Sequence, residues 1–116
     1  MKSPKLTASE TITWKRLANR TQSAHRAVGG RLYLTGERIL FEPSHFDALT
    51  GGRSCHIALS DVAAVGTEAP SGNKFDGGMR TRLRIDLRDR STELFVINRV
   101  NDAVDVLQRA VADRRS

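Results

Sequence analysis

The chain has 116 residues, of which 39% are hydrophobic and 28% are charged, a length and composition typical of one soluble globular domain. No run approaches the ~20 apolar residues of a membrane-spanning helix, and the N-terminus lacks the apolar segment of a secretory signal. A lone cysteine, Cys55, excludes an internal disulfide and favours a reducing compartment. These features predict a cytoplasmic protein with a single domain.

The net charge of +6 is concentrated at the N-terminus. Residues 1–31 contain seven basic side chains and one acidic one, Glu10, whereas the remaining 85 residues hold twelve of each kind. A localised positive field attracts anionic partners such as phospholipid head groups, nucleic acid or acidic proteins. An arginine-rich composition is also expected from a GC-rich genome, so the alternative is an ordinary solvated surface.

The N-terminal part predicts a flexible tail over residues 1–9, followed by a domain over residues 10–113. The first strand is predicted for residues 10–19, where apolar residues alternate before the phase changes at Leu17. A phase change inside a strand predicts a β-bulge that bends it. The polar run at 20–27 predicts a loop.

Residues 28–43 carry the strongest structural signal, two short strands joined by a turn. Leu32 and Leu34 alternate with polar neighbours, as in a half-buried strand. Gly36 followed by another residue suits a type II′ turn, and Pro43 ends the second strand because proline cannot donate to the ladder. The segment predicts a β-hairpin.

Four further strands and one helix are predicted for the rest of the chain, after a second loop at 44–52. Alternation and short apolar runs indicate strands near residues 55–59, 62–65, 83–87 and 93–97. A glycine-rich loop at 66–78 is predicted to be the longest and most mobile. Helical spacing then appears at Val100, Val104, Leu107 and Val111. Seven strands and one helix predict a mainly β domain, a sandwich or small barrel whose open end is covered by the helix.

The order of these elements resembles the GRAM domain family, a branch of the pleckstrin-homology-like superfold. The similar blocks are Val28-Gly29-Gly30, Leu32 to Thr35 with Arg38 and Phe41, Ile57-Ala58-Leu59, and Phe95-Val96-Ile97-Asn98. The resemblance covers about residues 10–112 and is to the small stand-alone members of the type found in bacteria. It implies a seven-stranded bent sandwich or barrel capped by one C-terminal α-helix. Several eukaryotic members bind phosphoinositides or other membrane lipids, so it also implies a binding function.

A candidate site follows from this resemblance and the charge distribution together. In pleckstrin-homology-like domains that bind inositol phosphates, the loop between the first two strands supplies basic side chains around the head group. Guanidinium groups suit phosphate because their forked donors engage two oxygens at once. The predicted anion- or lipid-binding residues lie in this loop and its flanking strands: Lys15, Arg16, Arg20, His25, Arg26 and Arg31.

The predicted function is a non-catalytic module that binds an anionic lipid or a phosphorylated ligand, in the cytoplasm at the inner face of the membrane. The alternatives are a protein-interaction or self-association adaptor and, third, nucleic-acid binding, which an aromatic content of 5% disfavours. No set of nucleophile, base and acid is evident. The histidines and Cys55 lack the spacing of metal-ligand pairs, so no cofactor or metal is expected. Arg80, Arg82, Arg84 and Arg88 on the sixth strand predict an ordinary solvent face, partly neutralised by Asp86 and Glu93.

Overall fold

Seven antiparallel strands arise where apolar residues alternate or run together. The computed structural model describes residues 3–115, and in that range the strands are β1 (Trp14–Ser23), β2 (Arg26–Leu34), β3 (Arg38–Pro43), β4 (Cys55–Ala58), β5 (Val62–Glu68), β6 (Arg82–Leu87) and β7 (Thr92–Ile97). They form one curled sheet in the order β4-β3-β2-β1-β7-β6-β5. A short helix, α1 (His45–Leu49), follows β3, a 3₁₀ turn (Leu59–Asp61) joins β4 to β5, and α2 (Val100–Arg115) follows β7.

The curl brings the two halves of the sheet face to face around one hydrophobic core. Phe41 of β3 and Phe95 of β7 pack across the interior with their ring centroids 5.6 Å apart. Ala103, Leu107 and Val111 share one buried face of α2, and this face packs on β5, β6, β7 and the 3₁₀ turn. The predicted mainly β architecture is confirmed: seven strands bend around one core, and a C-terminal helix caps them. Neither α1 nor α2 is long and apolar enough to cross a membrane.

The first strand differs from its prediction in position and length. It extends to Ser23, so only two residues remain for the turn before β2. The polar run at 20–27 continues the sheet because β2 pairs with β1 as far as Ser23 and β7 pairs with it at Arg20. Leu17 is 62% exposed because it lies on the outer face, and the irregular register falls between Thr21 and Ser23 instead. The predicted bulge at Leu17 and the predicted loop at 20–27 are both wrong.

The β2–β3 hairpin lies where it was predicted, but Thr35 builds its turn. Gly36 lacks the positive φ that a type II′ turn requires. The Thr35 hydroxyl accepts hydrogen bonds from the backbone N–H groups of Glu37 and Arg38, at 3.1 and 3.0 Å. A side-chain hydroxyl therefore replaces the glycine conformation, and the type II′ prediction is wrong.

The N-terminal segment contacts the sheet. The Thr13 N–H donates to the carbonyl of Leu34 at 2.8 Å, and Arg38 donates to the carbonyl of Lys5 at 3.0 Å. Tyr33 is only 5% exposed, although it lies between Leu32 and Leu34 on the face of β2 opposite the core. The flexibility predicted for residues 1–9 stays a prediction, and its first two residues lie outside the described range.

Two connections carry more structure than predicted. Ser44 caps α1 by accepting from the Asp47 N–H at 3.2 Å, so the loop predicted at 44–52 contains a helical turn. β5 continues to Glu68, which leaves the long loop at 69–81.

At the β6–β7 turn, Arg90 takes a left-handed conformation with φ 74°, where glycine would be unstrained.

Candidate functional site

The β1–β2 turn lies between two loop segments, and together they form a surface that we call the hairpin end. It comprises residues 22–26, 44–53 and 72–77. On one side, the Gln22 amide donates to the carbonyl of Gly51 at 3.1 Å and accepts from the Arg53 N–H at 2.9 Å. On the other side, the Asn73 amide donates to the carbonyl of Ala24 at 2.9 Å. Three segments distant in sequence are thus brought together.

The charge of Arg20, a predicted site residue, is neutralised by a carboxylate inside the protein. Its guanidinium group makes two hydrogen bonds to the Glu93 carboxylate, at 2.9 and 3.1 Å, and both side chains are largely buried. Arg20 is in register with Val28 and Phe95, so it lies on the core side of the sheet. Burial raises the pKa of the adjacent Cys55 thiol from 9.0 to about 11, and the Glu93 carboxylate adds to the rise. The Arg20–Glu93 ion pair lines the interior of the half-barrel.

Arg26 fastens α1 to the β1–β2 hairpin. Its guanidinium group donates to the Asp47 carboxylate at 3.2 Å, to the Thr50 hydroxyl at 2.8 Å and to the Thr50 carbonyl. Its side chain remains 29% exposed. Arg26 therefore contributes to the structure of the hairpin end and still reaches solvent there.

Arg16 lies away from the hairpin end and braces the connection between β7 and α2. Its guanidinium group lies 5.0 Å from the centroid of the Trp14 ring, within range of a cation–π interaction. It also donates to the carbonyls of Asn98 and Arg99, at 3.3 and 3.4 Å. Arg16 therefore has a structural environment distinct from that of the other predicted residues.

The remaining three predicted residues lie on two different surfaces. Exposed His25 belongs to the β1–β2 turn, whereas Lys15 and Arg31 lie on the outer face of β1 and β2, opposite Tyr33 and Glu42 respectively. Of the six predicted residues, only His25 and Arg26 therefore belong to the hairpin end. Arg20 lies on the core side of the sheet, and Lys15, Arg16 and Arg31 lie elsewhere.

Two cations of the hairpin end were missed by the sequence reasoning. Arg53 and Lys74 are exposed, and neither side chain forms an ion pair within residues 3–115. The two acids of the flanking segments are already paired, Asp47 with Arg26 and Asp76 with Arg82. The charge count could not reveal this surface, because Arg53 and Lys74 belong to the part of the chain whose total charge is zero.

The long loop at 69–81 packs on the outer face of β1 and β7. The carbonyl of Asp76 accepts from the Thr21 hydroxyl at 2.6 Å. Buried Arg82 donates to the same hydroxyl at 3.1 Å and lies 3.7 Å from the Asp76 carboxylate. Gly77 has φ +86°, and a Cβ atom there would lie 2.7 Å from Cγ2 of Val96. The loop is therefore attached to the sheet at several points.

The arginine stripe on the sixth strand is only partly the solvent face that was predicted. Arg84 pairs with Asp86 and Glu68, each at 2.9 Å, and these side chains reach solvent. Arg82 is 2% exposed because the loop at 69–81 covers it. Glu93 faces the interior and neutralises Arg20, so its predicted role on this face is wrong.

Potential metal ligands do not gather in the part of the chain that the structure describes. No group of three or more His, Cys, Asp or Glu side chains there has the geometry to hold an ion. His56 instead lies 3.5 Å from a Glu42 oxygen, and the Ser54 hydroxyl donates to the other Glu42 oxygen at 2.7 Å.

The fold is similar to several solved structures. The C-terminal domain of an unknown protein from Leishmania infantum has a TM-score of 0.70 at 12% identity, over 90% of this chain and 87% of that one. The Vps36 N-terminal PH domain has a TM-score of 0.67 at 18% identity, over 95% and 85% of the two chains. The hSac2 domain from the human phosphoinositide phosphatase Sac2 has a TM-score of 0.58 at 14% identity, over 94% and 70%.

Comparison of the sequence with known families and proteins identifies no relative of the chain. No protein-family profile matches the chain, and no curated protein is similar to it in sequence. Likeness at such low identity establishes a fold and not an activity, because one superfold hosts many functions. The chain has a pleckstrin-homology-like fold, and its membership of the GRAM family stays a prediction.

Proposed function

We propose that the chain is a non-catalytic binding module whose hairpin end binds a phosphate-bearing anion, either a phospholipid head group or a phosphorylated ligand. The observation that carries this proposal is the convergence of basic side chains that form no ion pair within residues 3–115. Arg53 and Lys74 lie on the two segments that flank the turn, and His25 lies on the turn itself. The Vps36 and Sac2 neighbours support a binding role, since the first is a PH domain and the second comes from a phosphoinositide phosphatase.

The ion pairs of Arg20 and Arg26 favour Arg53 and Lys74 over these two predicted residues as the cations that bind the anion. Arg20 and Arg26 are bound to Glu93 and Asp47, so an anion would have to compete with those carboxylates. Arg53 and Lys74 have no such competitor among residues 3–115. A Lys or Arg side chain near an anionic membrane surface contributes about 1 kcal/mol, so removing both cations weakens binding roughly thirtyfold.

Co-sedimentation with phosphatidylserine-containing vesicles at low salt tests the proposal. We expect the wild-type chain to bind these vesicles, to bind neutral vesicles poorly, and to lose affinity as salt rises. The variant Arg53→Glu/Lys74→Glu should lose most of the binding. The matched control is Lys15→Glu/Arg31→Glu, which changes the net charge equally but on the outer face of the sheet, and it should bind much more tightly than the first variant.

Soluble inositol hexakisphosphate, used as a competitor and as a direct ligand in calorimetry, probes the shared phosphate chemistry. The proposal is contradicted if the wild-type chain binds neither vesicles nor this compound at low salt. Equal losses in the two charge-reversed variants would also contradict it, because binding would then depend on net charge alone.

A further inference from the structure

Three large apolar side chains of the hairpin end are exposed to solvent. Phe46 and Leu49 of α1 are 73% and 75% exposed, and Phe75 of the loop at 69–81 is 65% exposed. They are half of the six large hydrophobic residues that are exposed within residues 3–115. Single exposed apolar residues are common, but a group of them on one part of a protein indicates an interaction surface.

The polar contacts of α1 explain why its apolar side chains face outward. Asp47 accepts hydrogen bonds from Arg26, from the Ser44 hydroxyl and from the Gly29 N–H, at 3.2, 2.9 and 3.2 Å. The helix is thus attached to the sheet through its polar side, and none of its residues is buried. Phe46 and Leu49, three positions apart, share the other side. A surface helix normally has the opposite arrangement, with its apolar side on the core.

Asn73 is one of the residues that hold the backbone of Phe75 beside the β1–β2 turn. The Asn73 side chain accepts from the Phe75 N–H at 2.9 Å through Oδ1 and donates to the Ala24 carbonyl at 2.9 Å through Nδ2. The next residue, Asp76, is bound to Thr21. The backbone on either side of Phe75 is therefore fixed to the β1–β2 hairpin, while the Phe75 ring remains in solvent.

We propose that Phe46, Leu49 and Phe75 insert into the interfacial layer of an anionic bilayer while Arg53 and Lys74 contact its phosphates. This inference rests on the proposed function and commits its ligand to a membrane surface. A soluble phosphorylated compound would satisfy the cations and leave three apolar side chains in water. A bilayer satisfies both, since apolar side chains beside Lys and Arg are the composition of segments that lie in membrane interfaces. Lys74 and Phe75 are adjacent in sequence, so charge and apolar contact occur together.

The test compares Phe46→Ser/Leu49→Ser/Phe75→Ser with the wild-type chain on phosphatidylserine-containing vesicles. Removing three apolar insertions should weaken binding about tenfold to a hundredfold. The matched control is Leu17→Ser/Met79→Ser, because these residues are each 62% exposed and lie outside the hairpin end, and its binding should be unchanged. All five residues are exposed, so thermal unfolding should show that both variants remain folded.

A second measurement reports insertion directly. Phe75→Trp should show a blue shift of its emission on binding, and quenching by lipids brominated on their acyl chains, after subtraction of the Trp14 signal. Unchanged vesicle binding by the triple serine variant would overturn the inference and leave the proposed function intact. If the wild-type chain binds inositol hexakisphosphate but not vesicles, the inference of membrane insertion is also overturned and the proposed function remains intact. If the wild-type chain binds neither, the proposed function itself has failed.

Discussion

Glu10 shows how a single carboxylate ties the N-terminal segment to the β2–β3 turn. It accepts hydrogen bonds from the Thr7 N–H at 2.9 Å, from the Thr35 hydroxyl at 2.8 Å and from two nitrogens of Arg38. Its carboxylate is fully buried. The hydrogen bonds from Arg38, with smaller contributions from Thr7 and Thr35, lower the pKa of Glu10 from 4.5 to about 2.

The lowered pKa of Glu10 makes the stability of the fold depend on pH. Because the folded state binds this proton more weakly than the unfolded state, the stabilisation is complete above pH 4.5 and is lost as the pH falls towards 2. We therefore expect Glu10→Gln to be less stable than the wild-type chain at neutral pH, with a difference that shrinks between pH 4.5 and 2. Urea unfolding at a series of pH values measures this.

Glu37→Gln is the control for this prediction, because Glu37 is exposed and, within the described residues 3–115, its carboxylate accepts only from the Ser9 hydroxyl, at 3.3 Å. Its stability should follow that of the wild-type chain over the same pH range. A constant difference between wild type and Glu10→Gln from neutral pH down to 2 would show that the Glu10 charge is not the source of the effect.

Individual residues also show which features of the candidate site could not be predicted from the sequence. The basic character of the β1–β2 region was evident, but the Arg20–Glu93 pair joins residues 73 positions apart, and no local pattern reveals such a partner. The same limit concealed the hairpin end, because Arg53 and Lys74 meet the turn only through long-range contacts made by Gln22 and Asn73. The basic character of this region was predictable, whereas the identity of the basic side chains without acidic partners in residues 3–115 depends on how charges pair in space.

At the scale of elements, the loop at 69–81 is organised by a buried arginine. Arg82 reaches Thr21 and Asp76 from the outer face of β6, and Thr21 in turn donates to the carbonyl of Asp76. These contacts place Lys74 and Phe75 beside the β1–β2 turn. The geometry of the proposed membrane contact thus depends on a residue outside it.

Arg82→Met should release this loop while the sheet remains folded. The lost hydrogen bond to Thr21 and the lost ion pair with Asp76 involve a charged group, so we expect a destabilisation of about 1–3 kcal/mol. Amide hydrogen exchange should accelerate at residues 71–78, and binding to anionic vesicles should weaken because Lys74 and Phe75 lose their fixed positions. The control is Arg84→Met, which removes a partly exposed arginine from the same face. It should change neither the hydrogen exchange at residues 71–78 nor the binding to vesicles appreciably. Unchanged exchange in Arg82→Met would refute the anchoring role.

The elements that were well predicted are those whose pattern continues over their whole length. The alternation near 83–87 and the helical spacing from Val100 agree with β6 and α2, because a face that packs on the core requires that periodicity. The end of β1 was missed, since polar residues extend a strand when neighbours on both sides supply hydrogen bonds. Similarly, the turn at Thr35 depends on a side-chain hydroxyl, which a pattern of glycines does not reveal.

For the whole molecule, a curled sheet with β4 and β5 at its margins has two edges, and exposed edges invite pairing with other chains. The C-terminal helix protects one of them. Gln108 donates to the carbonyl of Val65 at 2.7 Å, and Arg115 donates to the carbonyl of Val62 at 2.6 Å. The helix that completes the core therefore also occupies backbone acceptors along β5.

Removal of these two side chains tests whether α2 keeps the domain from associating through β5. In Gln108→Ala/Arg115→Ala the helix should remain in place, because Ala103, Leu107 and Val111 still bury its apolar face. We expect the variant to form dimers as its concentration rises, whereas the wild-type chain stays monomeric, as measured by size-exclusion chromatography with light scattering. Arg109→Ala/Arg114→Ala alters the same helix at side chains without hydrogen bonds in residues 3–115 and should stay monomeric. Identical masses for all three proteins would contradict edge protection, and a stable wild-type dimer would favour a self-association adaptor over a monomeric membrane-binding module.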